Sequence, residues 1–199
     1  MELLLDHIRE RLFSCNDNTE RLFIESDTLY EHPILNIKYT SYEVLQGKDI
    51  IHIGYSRTGI MVYSPTPSGN ENEPWLYTNI LAVYHITVRT ASNPKPQTLT
   101  VLWVRWMERN TTGLTGPNSQ NLTQVSFVPW SGTRGDMFDF VDPSHIIRGC
   151  HLIPAFNLGR TDTLLDPSIA RDPKGDWCAF YVNRYDLRIW ASTHSIILT

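Results

Sequence analysis

The chain is 199 residues long, 41% apolar and 19% charged, with a formal net charge of −4. These totals exclude a disordered chain and a strongly basic nucleic-acid-binding domain, and the length suits one domain with an appendage. The acidity is uneven: seven Lys and Arg stand against twelve Asp and Glu up to Arg89, and ten against nine beyond it.

The opening run MELLLDHIRERLF places Leu4, Ile8 and Leu12 at i, i+4 and i+8, with Leu5 beside them. That spacing predicts an amphipathic helix, able to dock on a core or to pair with a second copy. The run reads as neither a signal peptide nor a membrane span, so an intracellular protein without a membrane partner is expected. Cys15 to Glu20 is polar and ends the helix. The expected division is a helix and linker over 1–20 and a β domain over 21–199.

From Arg21 the pattern is β-rich. RLFIE, ILNIKYTSYEV, IIHIGY and GIMVYS are short, rich in Ile, Val and Tyr, and bounded by Gly or polar residues. SPTPSGNENEP reads as a loop. WLYTNILAVYHITVR is the first long strand; uninterrupted alternation puts Leu76, Ile80, Ala82, Tyr84, Ile86 and Val88 on one face, and Tyr77, Leu81, Val83 and His85 on the other. After the turn TASNPKPQ, TLTVLWVRWMERN is the second long strand, and the two form a hairpin at the middle of the sheet. LTQVSFVPW, MFDFVDP and HIIRGCHLIP are further apolar runs. A polar stretch from Asn157 to Asp176 separates them from a last strand, WCAFYVNRY. One curled sheet or partly open β-barrel with an N-terminal helix is the economical fold.

Known chemical signatures are missing. There is no phosphate loop, nucleophile elbow or H-E-x-x-H, and GYSRTG reads as a turn. Cys15, Cys150 and Cys178 lie far apart without a C-x-x-C, which disfavours a disulfide framework or structural zinc. His145 and His151 share strand parity while Cys150 faces the other way. No cofactor is implied. Asp136, Asp139 and Asp142 could hold a divalent metal for phosphodiester cleavage, which is the enzymatic alternative; Asp142 before Pro143 equally fits a capping position.

The aromatic side chains remain. Trp75, Tyr77, Tyr84, Trp103 and Trp106, with Glu108, sit on or beside the central hairpin and form the candidate ligand-binding cluster. Aromatic faces near a carboxylate attract a cation, methylated lysine above all, although aromatic stripes in sheets commonly serve as core. Trp103 and Trp106 must face opposite ways. Trp103 is expected to fill the barrel, and Trp106, on the face of Glu108, to contact a partner.

YEHPILNIKYTSYEV, EPWLYTNILAVYHITVR, LTVLWVRWMER, MFDFVDPSHIIRGCHLIPAFNLGRT and DWCAFYVNR, in this order, resemble the C-terminal region of large proteins encoded by Plavaka-type DNA transposons of basidiomycete fungi, related to the CACTA group. The likeness covers roughly residues 20–184, and VDPSHIIRGCHLIPAF and LWVRW are its most specific parts. It implies a fungal, nuclear ancestry but no transposase activity, because the family's nuclease domain lies upstream of this region; no catalytic residue carries over. After YVNR the chain departs from the family's acidic, Met- and Phe-rich continuation and runs YDLRIWASTHSIILT, which makes a transposon remnant without selected activity a further alternative. RWMER at Arg105–Arg109 and IIRGCHL at Ile146–Leu152 are also similar in order and spacing to bromo-adjacent homology domains, β-barrel chromatin modules in which the residues matching Trp106 and Arg109 are chiefly structural. The leading expectation is therefore a non-catalytic interaction module. Its partner is a chromatin protein, a histone tail or a transposon-encoded protein. Nucleic acid is not favoured by the charge, and self-association would run through the helix.

Overall fold

The computed structural model describes residues 2–13, 21–25, 28–40, 46–54, 58–63, 75–110, 122–130, 137–183 and 194–198. Helix α1 (Glu2–Leu12) is followed by strands β1 (Leu22–Ile24), β2 (Tyr30–Glu31), β3 (Ile34–Thr40), β4 (Gln46–His52) and β5 (Gly59–Tyr63). The two long strands β6 (Trp75–Thr90) and β7 (Gln97–Arg109) come next, then β8 (Gln124–Phe127), β9 (Phe138–Val141), β10 (Ile146–Gly149) and β11 (Leu152–Pro154). The short pair β12 (Arg160–Thr161) and β13 (Asp176–Trp177), then β14 (Phe180–Val182) and β15 (His194–Leu198), complete the order. The expected architecture is present: mainly β, with a strongly curled half-barrel sheet and an N-terminal helix.

The predicted hairpin organises everything else. β6 and β7 pair antiparallel from Tyr77↔Met107 to Val88↔Gln97. Each outer edge of this hairpin is longer than any single neighbour. β6 takes β5 along its first half and β2 and β1 along its second; β7 takes β9 at its middle and β8 at its end. The main sheet runs β10-β5-β6-β7-β8-β14-β11, and a smaller sheet, β15-β3-β4, lies apart from it.

One irregularity decides which side chains face where. Ile80 stands opposite Val104 and Ala82 opposite Trp103, so Leu81 is an extra residue, a β-bulge. Because side chains alternate strictly, one extra residue exchanges the two faces of everything beyond it. Tyr84, Ile86 and Val88 therefore share a face with Tyr77 instead of with Leu76 and Ile80. This corrects the uninterrupted alternation expected from the sequence.

The two faces then build different cores. On one face Ile80, Val83, Leu102 and Val104 pack with Leu35, Ile37 and Ile51 of the small sheet, Ile60 and Val62 of β5, Val141 and Ile146. On the other face there are two smaller clusters. Near the hairpin turn, Ile86, Val88, Leu99 and Val101 receive Leu4 and Ile8 of α1, which are 2% and 0% exposed. At the far end, Met61, Tyr77, Met107 and Phe127 form a cross-strand row. The helical face expected for self-association is thus covered within the chain, with Leu12 partly buried against the same cluster. Arg11 fastens the helix through its Nε, 2.5 Å from Asp142 Oδ2, and by donating to the Thr100 carbonyl. The C-terminal run supplies β15, which pairs with Leu35–Tyr39 of β3.

Candidate functional site

Between the two smaller clusters the outer face of the hairpin is covered only in part. A groove of about 670 Å³ lies there, within the range of about 300–1,000 Å³ typical of ligand sites. Its floor is Trp103 of β7 and Tyr84 of β6, which the bulge brings to the same side, with Phe138 and Phe140 of β9. Phe138 and Phe140 stand opposite Arg105 and Trp103 in the ladder, so alternation along β9 turns both rings outward and Asp139 inward. The Trp103 and Phe138 rings lie 5.9 Å apart and tilted by 38°, a favourable aromatic separation. Leu3 and Leu4 of the helix and Leu29 close one end.

The opposite wall is a loop that was expected only to separate two strands. Thr163, Leu164, Leu165, Asp166, Ser168, Ile169 and Ala170 all reach the groove, and Trp130, 47% exposed, stands beside them. The Trp130 backbone N–H donates to the Leu164 carbonyl at 3.3 Å. Among the described residues, Asp166 is the charged side chain of the lining and no Lys, Arg or His contributes. A second carboxylate acts at the floor: burial, and next Glu31, push the Tyr84 phenol above its ordinary range.

The six residues named from the sequence divide four ways. Trp103 and Tyr84 belong to the groove. Trp75 and Tyr77 belong to the far cluster, where the Trp75 indole N–H donates to the Tyr77 hydroxyl at 3.1 Å and the Arg109 guanidinium lies 5.5 Å from the Tyr77 ring. Trp106 packs against the enclosed core, and its indole hydrogen-bonds to Asp139. Glu108 is exposed on the face opposite to Trp103, across from Ser126. The roles of the two tryptophans are thus the reverse of the expectation: Trp103 is available to a ligand and Trp106 is packed. Trp130, Phe138, Phe140 and Asp166 were missed. The alternation of Phe138, Asp139 and Phe140 was their one local signal.

The acidic trio has other engagements. Asp136 lies outside the described residues. Burial raises the Asp139 carboxyl above its ordinary range, Glu10 adds to this, and the Phe140 N–H and the Trp106 indole act against it. Asp142 caps the 3-10 turn Pro143–His145 by accepting from Ser144 N at 2.8 Å, and it also pairs with Arg11. Among the described residues no group of three or more His, Cys, Asp or Glu converges as a metal site. The Cys150 thiol is pushed up to about 12, first by burial and then by Asp49, so it stays protonated and unreactive at neutral pH.

No protein-family model, curated protein or solved structure matches the chain. The chemistry of the groove therefore has to be read from its own lining. Aromatic faces carry negative charge at their centres, and Asp166 adds to it, with no cationic side chain in the lining among the described residues.

Proposed function

We propose that this chain is a non-catalytic interaction module that binds a protein segment through the aromatic groove. The guest is a cationic side chain, a methylated lysine foremost. The observation that carries this is the lining itself: Tyr84, Trp103, Trp130, Phe138 and Phe140 together with Asp166 and, among the described residues, no Lys, Arg or His. A methylated ammonium is weakly hydrated and gains about 2 kcal/mol over a desolvated aromatic face. The groove has room for residues flanking the lysine as well. The partner is a nuclear one, a histone tail or a transposon-encoded protein, and this part of the proposal rests on the resemblance of LWVRW and VDPSHIIRGCHLIPAF to the transposon proteins.

The test is a peptide array of histone tails, followed by calorimetry on peptides with unmodified, mono-, di- and trimethylated lysine. Affinity is expected to rise with methylation, and Trp103→Ala to lower it about thirtyfold, the equivalent of the ~2 kcal/mol stacking energy. Equal binding of a neutral tert-butyl isostere of trimethyl-lysine would remove the cationic reading. Binding of no peptide at all would remove the module reading with it.

A further inference from the structure

We infer that Arg105 is the positioning residue of this groove: one buried guanidinium holds the loop from Asp162 to Gly175 at its working distance from Trp103. The inference rests on the groove being the binding site, and its test separates the two.

Arg105 is an arginine in the middle of an apolar strand, two residues from Trp103 and on the same face. It is 0% exposed. Burying a charge there is costly, and a well-packed apolar pair is commonly as stable or more so. An arginine at that position therefore points to geometry rather than to stability alone. Its contacts say which geometry. Nη1 donates to the Ala170 carbonyl at 3.0 Å. Nη2 lies 2.8 Å from Asp176 Oδ2, a charge contact off the hydrogen-bond line, and Nε has no hydrogen-bond partner. The guanidinium carbon sits 3.9 Å from the centre of the Phe127 ring.

Asp176 and Ala170 are the two places from which the loop can be controlled. Asp176 lies at its base, where Thr161 pairs with Asp176 and Arg160 with Trp177. Ala170 lies on its returning limb and lines the groove. One other tie leaves the loop, at the Leu164 carbonyl, which accepts from the Trp130 N–H; the side-chain ties hold the loop to itself. Arg171 donates to the Leu165 carbonyl at 2.9 Å and pairs with Asp162. Arg160 reaches the Gly175 carbonyl at 2.6 Å and Asp172 at 2.9 Å. Gly175 has φ +86°, and a Cβ there would come within 2.7 Å of Asp162 Oδ1, so the loop returns tightly on its own start. It is a self-braced Ω-loop, and Arg105 fastens this unit to the sheet at two points. If Arg105 lets go, the wall that carries Leu165 and Asp166 is held only at its base and by the Leu164–Trp130 hydrogen bond, and can move away from Trp103.

The experiment uses the whole chain and two readouts, amide hydrogen exchange and binding of a trimethyl-lysine peptide. Arg105→Met alone leaves Asp176 buried without its partner and can fail to fold. The deciding variant is therefore Arg105→Met combined with Asp176→Leu, which removes both charges at once. In it, exchange across residues 163–172 should accelerate at least about tenfold, as expected for loss of a charge-assisted hydrogen bond, while β6 and β7 keep their protection. Peptide affinity should fall by a similar factor. Unchanged exchange in the loop would overturn the inference, and so would a loosened loop with undiminished affinity. If the unsubstituted chain binds no peptide, the binding site is lost, and the positioning role with it, whereas Arg105 as anchor of the loop is still decided by exchange.

Discussion

On one face of the β6–β7 hairpin, Ile80, Val83, Leu102 and Val104 meet aliphatic side chains from β3, β4, β5, β9 and β10. On the other, Trp103 and Arg105 meet a loop. The first face is closed by sheet against sheet, and such packing leaves few gaps. The second is covered by a helix at one end and by short strands at the other, with a loop spanning the space between them. Where two covers of different kind fail to meet, aromatic rings stay half exposed and a groove results. The same pair of strands thus closes a core on one side and leaves a groove on the other, and the bulge at Leu81 sorts residues of β6 between the two.

The comparison can be broken at several points. The largest effect is expected from Arg105→Met, which strands the Asp176 carboxylate in the interior and should cost about 3–5 kcal/mol in urea unfolding. A loss below about 1 kcal/mol would mean that the loop face is anchored by other contacts. Leu102→Ala, on the closed face, should cost about 2–5 kcal/mol through the cavity it leaves, yet leave peptide affinity within about twofold wherever the variant is folded. If affinity collapses with it, the two faces are not independent. Asp166→Asn should leave stability unchanged and weaken binding of a cationic peptide by about 0.5–1 kcal/mol, with a flatter salt dependence; an unchanged salt dependence would remove Asp166 from recognition.

The smallest effect concerns the helix cover. Burial, followed by the charge of Arg11, holds the His7 imidazole below its ordinary value of 6.5, with Asp142 acting against them and His145 adding to them. The unfolded chain then binds the proton first, so the His7 contribution to stability is intact above about pH 6.5 and declines as pH falls toward the lowered value. Asp139 works in the opposite sense. Its raised carboxyl favours the folded state while protonated, and that gain is lost as pH rises through the raised value. His7→Leu should flatten the pH dependence of unfolding between pH 5 and 7. An identical slope in this variant would remove His7 as its source.

What the sequence makes legible follows from the range of each interaction. The helix and the hairpin were readable because Leu4 and Ile8, or Leu102 and Val104, repeat within one element. Alternation also places Phe138 and Phe140 together. The bulge was not readable: nothing about Leu81 differs from its neighbours, and the two-against-one register exists only once β7 lies alongside. Without it Tyr84 falls on the wrong face and the groove loses one of the four rings of its floor. The loop wall was hidden for a related reason. Asn157 to Asp176 carries no period, and its order comes from Arg171, Arg160 and Gly175 and from Arg105, more than fifty residues upstream. The pairing of β15 with β3 joins segments from opposite ends of the chain, where local pattern is silent.

The bulge also sets a rule for how this chain tolerates change in length. A substitution at Leu81 alters one contact. A deletion there would leave Ile80 opposite Val104 and Ala82 opposite Trp103 in an even ladder, so Tyr84, Ile86 and Val88 would keep their face and only the local bend would be lost. A ladder that kept Leu81 and paired it in register would instead turn Ala82, Tyr84, Ile86 and Val88 toward the enclosed side, empty the helix dock and take Tyr84 from the groove. The position is thus free in identity and in length, and demanding only in register.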